Sequence, residues 1–387
     1  VLGNSNESPF SFADVFPFAQ GIQIMRIARA DIYRPDEIAT VHTIATIVRK
    51  YYLLGEDALT GLNNSHRCEW VTSQIKEQAK YFAIDILSHA IMSNHFHSVL
   101  RSRPDVVQEW TDSEVATRWM LLCPKRRNKD LSPAEPNEKE LDSIRNKPDK
   151  LKEIRSRLSD ISWWMRILCQ RVAKRANRES KEIGRFFNGR FKAVRLLDEE
   201  AILACMSYVD LNPIRAKVAE TLEESKHTSI AARIAAFAKE SEESKPIPDA
   251  TGNETSTSNS PSKRSEFPDA YLAPIELVDT KGEEGPKESK DKKRCSDKGV
   301  LSLSTMNYMQ LLDATARLVR EGKKGFTPEA TPPILKRLHI EEDLWLEYAT
   351  QFGRMFSLAA GSVQSMADAR TLVTHRQFHC PRFQRMS

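Results

Sequence analysis

The alternation of apolar and polar positions divides the chain into elements. Residues 39 to 50 (ATVHTIATIVRK) are rich in Val, Ile and Thr, side chains that fit a pleated surface, and predict a strand. Gly55, Gly61 and the pair Asn63–Asn64 mark a loop. Over 68–83, Trp70, Val71, Ile75 and Phe82 recur near helical spacing and predict an amphipathic helix. Residues 84–92 (IDILSHAIM) predict a second strand, Ser93–Asn94 a tight turn, and 95–101 (HFHSVLR) a third strand returning as a hairpin.

Further on, Thr111 and Glu114 have capping-box spacing and open a helix carrying Val115, Trp119 and Met120. A polar, Pro-containing insertion covers roughly 124–160. A longer helix runs from about Ser159 to Asn177 with Trp163, Trp164, Ile167 and Val172. In 184–197 (GRFFNGRFKAVRLL), basic and apolar residues alternate around Asn188–Gly189, which predicts a hairpin. Asp198 can cap the next helix, to about Leu211, and Asn212–Pro213 breaks it and starts another. Helical patterning continues to about 240. Residues 241–302 are dominated by Ser, Lys, Glu and Pro, a composition that cannot offset its ordering entropy by burial, and predict a disordered linker. Residues 303–387 regain helical periodicity and predict a helical C-terminal extension.

The order strand, helix, strand, strand, helix, strand, helix predicts an α+β domain with a ferredoxin-like split βαβ arrangement. Its central sheet is expected to be antiparallel, with helices on one face. The expected divisions are an arm at 1–24, a main domain at 25–240, the linker at 241–302 and the extension at 303–387. Met25 is the expected natural start, with 1–24 an upstream or disordered arm.

Composition narrows the partners. The 387 residues carry a formal charge of +5, and 40% are hydrophobic, enough for a sizeable core. A mild basic excess permits a polyanionic partner without requiring one. The six cysteines are scattered, with no CxxC pair, which argues against a zinc ribbon and suits reduced thiols in a cytoplasmic protein. No apolar run approaches a membrane span, and no secretory signal pattern opens the chain.

Three features carry candidate chemistry. On a strand, His95 and His97 face the same side, so both imidazoles can reach one metal ion while Phe96 points to the opposite side. With nine histidines in the chain, a chance His-x-His pair is not rare, and two surface histidines are the plain alternative. Tyr208 lies in an apolar helix (AILACMSYVDLNP), where a core tyrosine is the plain alternative. Asn212, four residues later, shares its face if the helix continues, and is otherwise a helix cap. The third feature is a basic belt. Arg171, Lys174, Arg175, Arg178, Lys181, Arg185, Arg190, Lys192 and Arg195 stand against only Glu179 and Glu182, with Phe186, Phe187 and Phe191 interleaved. Phosphate neutralisation beside exposed rings suits single-stranded or hairpin nucleic acid. A solvated charged face is the alternative.

Taken together, MSNHFHSVLR, GRFFNGRFKAVRLLDEE and MSYVDLNPIRAKV resemble the single-tyrosine HUH transposases, in particular the REP-associated tyrosine transposase group, over about residues 25–240. The resemblance implies a ferredoxin-like fold and a DNA transposase that cuts and rejoins single-stranded or hairpin DNA through a 5′-phosphotyrosine. It implies Tyr208 as nucleophile and His95 and His97 as ligands of a divalent metal, Mg or Mn. Asn212 would be a third ligand or only a cap. The basic belt itself predicts DNA contacts from Arg171, Lys174, Arg175, Arg178, Arg185, Arg190, Lys192 and Arg195, and the resemblance implies a possible homodimer. The absence of a GxxxxGK[ST] loop agrees with chemistry that needs no ATP. The alternative function is a domesticated DNA- or RNA-binding protein that no longer cuts. Neither clustered acids nor His375, His379 and Cys380 have spacing that makes a stronger metal site.

Overall fold

The computed structural model describes residues 28–29, 32–48, 54–56, 61–243, 266–277, 289, 291–321 and 342–372. The expected arm at 1–24 and the cluster His375, His379 and Cys380 lie outside them. The architecture is mixed α and β, built on a five-stranded sheet. Its strands are β1 (Thr40–Thr46), β2 (Ile84–Ile91), β3 (His95–Ser102), β4 (Lys192–Leu196) and β5 (Ala359–Ala360), in the order β2-β3-β1-β4-β5. Hydrogen-bonded neighbours among the first four are antiparallel, and β5 runs parallel to β4.

Helix α1 (His66–Ala79) connects β1 to β2, and β2 turns directly into β3. Between β3 and β4 come α2 (Pro104–Glu109), α3 (Asp112–Leu122), α4 (Glu138–Arg145), α5 (Pro148–Ser159) and α6 (Ile161–Ser180). Helix α3 starts on the capping box expected there: the Thr111 hydroxyl accepts from Glu114 N–H, and the Glu114 carboxylate accepts from Thr111 N–H. The polar insertion is not structureless. It contains α4, which opens on a second capping box between Asn137 and Glu140, and α5.

One face of the sheet buries Val41, Ala45, Ile84, Ile86, Phe96 and Leu100 against α1 and the α2–α6 layer, around Trp164 and Phe82, whose rings meet edge to face at 5.2 Å. The other face, expected to be open, is also covered. Leu87, Ala90, Val99, Val194 and Leu196 pack against α7 (Glu199–Asp210), α8 (Asn212–Arg215), α9 (Ser229–Glu243), α10 (Thr305–Glu321) and α11 (Glu342–Met355). Helix α12 (Val363–Leu372) follows β5. Helices on both faces bury every residue of β2. The sheet therefore shows no clean apolar-in, polar-out alternation.

The second face joins segments that the sequence separates. Asp210, at the end of α7, accepts from Ser229 Oγ (2.5 Å) and Ile230 N–H (3.1 Å) on α9 and from Tyr308 Oη (2.7 Å) on α10. Within the stretch read as a linker, 266–277 and 291–302 are packed. Leu272, Ala273, Ile275, Cys295 and Leu301 are buried there, and Ala273 N–H donates to Ile86 O along the outer edge of β2 at 2.9 Å. Low mean hydropathy hides these few anchors. Polar contacts reinforce them: Asp85, fully buried, accepts from Arg101, Arg103, Ser296 and Cys295.

The expected hairpin at 184–197 does not form. Both of its arms pair with the β1 line, Phe187 with Ile47 and Lys192 with Ile44. Asn188–Gly189 instead bulges out of one irregular strand, with Gly189 at φ +73°. The free edge of β1 satisfies the backbone groups of both arms, with Val48 N–H donating to Phe186 O (3.0 Å) and Asn188 N–H to Thr46 O (2.7 Å).

Candidate active site

The second face of the sheet carries the candidate chemistry. In the β1–β3 register, Ile44 is opposite His97 and His42 is opposite Val99, so His42 and His97 are diagonal neighbours on one face. Strand alternation adds His95 to that face. Helix α7 crosses this face because Asp198 caps its start, accepting from Ala201 N–H at 3.0 Å, and because Leu203, Cys205, Met206 and Val209 are buried along it. That crossing brings Tyr208 to the histidines. Its ring meets His97 edge to face at 5.7 Å and His42 at 6.1 Å, while the His95 and His97 rings lie 4.8 Å apart.

Each imidazole is held at a defined atom. His95 Nδ1 bonds to Asn94 Oδ1 at 2.6 Å, and His97 Nδ1 to His42 Nε2 at 2.8 Å. His97 Nε2 is buried and has no hydrogen-bond partner. Burial, reinforced by the neighbouring histidines and Arg215, keeps all three rings neutral. The pKa of His42 falls to about 3 and that of His95 to about 4, and His97 lies well below the usual value. Neutral rings are the form that ligates metals. Among the described residues, no group of three or more His, Cys, Asp or Glu is placed to hold a metal ion. The orphaned, buried His97 Nε2 nonetheless fits a cation ligand, and the rest of a coordination shell would have to come from an amide, solvent or a bound ligand.

Asn212 does not cap α8. Leu211, in a helical conformation, holds that position and Asn212 is inside the helix. The backbone runs nearly unbroken from α7 into α8, with Leu211 N–H donating to Ser207 O and Arg215 N–H to Leu211 O. Tyr208, Asn212 and Arg215 therefore share a face. The guanidinium carbon of Arg215 sits 4.3 Å from the Tyr208 ring centre, and Arg215 Nη1 is buried with no hydrogen-bond partner. Sequence reading missed both Arg215 and His42. For Arg215 the signal was its position seven residues after Tyr208, two helical turns along the same face. For His42 no one-dimensional signal existed, since nothing in the pattern of β1 says that it lies beside β3.

The basic belt is divided. Arg171, Lys174, Arg175 and Arg178 lie on α6, against the opposite face of the sheet from α7. Arg171 is engaged internally with Leu122 O, Arg175 stacks 4.0 Å over Trp70, and Arg195 pairs with Glu37 at 2.8 Å. Arg185 and Arg190 are exposed on the bulged loop, and exposed Lys192, opposite Ile44, extends the histidine face across the sheet.

The tyrosine is covered. It is 7% exposed, and its ring packs beside Phe352 of α11 at 6.0 Å. A Cβ built on Gly353 would stand 2.9 Å from the Tyr208 hydroxyl, so a larger residue there would force the phenol to shift.

No family model matches the sequence, and no curated protein matches it. One solved structure, of a REP-associated tyrosine transposase bound to a REP hairpin, aligns with 57% of this chain and 89% of that chain at 10% identity and a TM-score of 0.27. No helix among the described residues is long and apolar enough to cross a membrane.

Proposed function

We propose that this chain is a transposase-like enzyme that cuts and rejoins single-stranded or hairpin DNA through Tyr208. The observation that carries this reading is the meeting of β3 and α7 on one buried face, with the His97 and Tyr208 rings 5.7 Å apart. The order of the three sequence motifs supports it, as does the strand order β2-β3-β1-β4, which is the one a ferredoxin-like split βαβ domain requires.

In the proposed reaction the Tyr208 oxygen attacks a backbone phosphorus and loses its proton to solvent or a nearby base. A P–O bond forms to tyrosine and the P–O3′ bond breaks, and the departing 3′ oxygen takes up a proton. The product is a 5′-phosphotyrosine and a free 3′-OH, whose reversal rejoins strands without ATP. His95 and His97 would hold the divalent metal, with Asn212 as a candidate further ligand. When bound, the metal would polarise the scissile phosphate and offset its developing charge. Two imidazoles favour Mn²⁺ over Mg²⁺, which prefers oxygen ligands. Arg215 supplies a fixed positive charge beside the phenol. Lys192, Arg185 and Arg190 are the belt residues best placed to meet DNA.

The test is incubation with labelled hairpin DNA and Mn²⁺. Wild-type protein is expected to form a covalent adduct and Tyr208→Phe none. Undiminished cleavage by Tyr208→Phe would sink the reading. One observation favours a second reading, a DNA- or RNA-binding protein without cutting activity: the Tyr208 hydroxyl is closed against Gly353. That reading predicts hairpin binding with no adduct under any metal condition.

A further inference from the structure

We propose that His42 is a positioning residue for the metal ligand His97, holding it in the tautomer that leaves Nε2 as a bare lone pair. The inference rests on the metal-site reading above and adds to it a residue that none of the three motifs contains. Its basis is the bond pattern at the two candidate ligands. An imidazole can bind a cation at Nε2 only if its one proton is on Nδ1, and ligating histidines generally donate that Nδ1–H to a fixed acceptor. Asn94 Oδ1, an amide oxygen that can only accept, does this for His95 at 2.6 Å. For His97 the corresponding partner is His42 Nε2 at 2.8 Å.

The proton count favours one arrangement once a cation is present. Two neutral imidazoles share one hydrogen bond and two protons. If His42 donated, the second proton of the pair would sit on His97 Nε2, aimed at the candidate metal position and blocking it. If His97 donates, its Nε2 is free, and the remaining proton sits on His42 Nδ1, on the far side of the pair. His42 is also fully buried and nearly coplanar with His97, with ring centres 5.1 Å apart and planes 19° apart, so it fixes the orientation of the ring as well as its proton. Its own ring is wedged against Tyr208 and Phe352, at 6.1 and 6.2 Å. The β1 strand thereby sets the angle at which β3 presents its ligand.

The test uses the full chain and Mn²⁺ alone, with free Mn²⁺ followed by electron paramagnetic resonance. Wild-type protein is expected to bind one ion, and His97→Ala to lose it. His42→Leu is expected to weaken Mn²⁺ binding by about 10- to 100-fold, the usual effect of removing such a partner. His42→Gln, whose side-chain oxygen can accept the same proton, should restore most of the affinity. Hairpin affinity in metal-free buffer should stay unchanged in both. Wild-type Mn²⁺ affinity in His42→Leu, alongside loss in His97→Ala, overturns the role of His42 and leaves the metal reading standing. Equal Mn²⁺ binding by wild type and His97→Ala overturns both. Should His42→Leu fail to fold, nitrogen-15 NMR of the wild-type imidazoles loaded with the diamagnetic ion Zn²⁺ decides the matter. A proton on His97 Nδ1 is expected, and a proton on Nε2 refutes the proposal.

Discussion

The polar knot around Asp85 allows a sharp test of how the second face is held. Its carboxylate, on β2, is fully buried. It accepts from Arg101 Nε at 2.9 Å and Nη2 at 2.6 Å, and from Arg103 Nη1 at 3.2 Å. The Ser296 hydroxyl donates at 2.8 Å and the Cys295 thiol at 2.9 Å. Asp85→Ala removes the only carboxylate that these two guanidinium groups share. Breaking a buried pair by deleting one partner typically costs about 3–5 kcal/mol. Arg103 keeps Asp105 at 2.7 Å and Arg101 keeps the Gly299 and Lys298 carbonyls, so the expected loss is at the lower end, about 3 kcal/mol. That is a large share of the ~5–15 kcal/mol available to a folded protein. Urea unfolding followed by circular dichroism would read the loss, and limited proteolysis should cut first within 291–301. A pH signature accompanies it. Burial pushes the Asp85 pKa up, but Arg101 and Arg103 outweigh it and hold it below the ordinary value. The carboxylate therefore contributes stability at neutral pH that is lost as pH falls below 4, and Asp85→Ala should lack that part of the acid transition. A loss under about 1 kcal/mol, the scale of an exposed ion pair, would show that the knot does not hold the face together.

Two further outcomes follow from neighbouring groups. Burial lowers the pKa of His89, bonded through Nε2 to Tyr271 Oη at 2.7 Å, to about 3. The unfolded chain takes up a proton near pH 6.5 and the folded one does not. Stability is thus full above that pH and declines towards pH 3, by up to about 1.4 kcal/mol per pH unit. Urea midpoints of wild type and His89→Gln should converge as pH falls from 7 to 5, and parallel profiles would contradict this. At the site, Arg215→Gln is expected to slow adduct formation by about 100-fold or more, as for loss of a preorganised charge, while hairpin affinity changes less than about tenfold. Equal losses in both would make Arg215 a binding residue only.

The local elements were largely legible in the sequence. β1, β2, β3, α1, α3 and α6 follow from periodicity, and the starts of α3 and α7 from Thr111, Glu114 and Asp198, because caps and patterns act over a few residues. What failed was non-local. Asn188–Gly189 has the chemistry of a two-residue hairpin turn, but the open edge of β1 captured both flanks. The histidines, Asp85 and Arg101 made β2 and β3 look half-solvated, when chain from beyond residue 198 buries them. The 241–302 stretch was judged by average polarity, although a few apolar anchors and the Asp85 contacts order part of it. At the site, the motif spacing pointed to His95, His97, Tyr208 and Asn212, whereas His42 becomes visible only once β1 is placed beside β3.

The segment that covers Tyr208 also finishes the sheet. Three residues beyond Phe356, which closes against Phe352 of α11 at 4.7 Å, the chain has become β5. There Leu358 O and Ala360 O accept from the N–H groups of Arg195 and Leu197. Withdrawing α11 and β5 together to free the phenol would strip β4 of its outer neighbour and leave those donors facing outward. An unpaired strand edge is a template for another strand, including the same strand of a second molecule. On the function proposed above, access to Tyr208 and exposure of the β4 edge would depend on the same segment, so a form open to DNA would also be one whose behaviour depends on protein concentration.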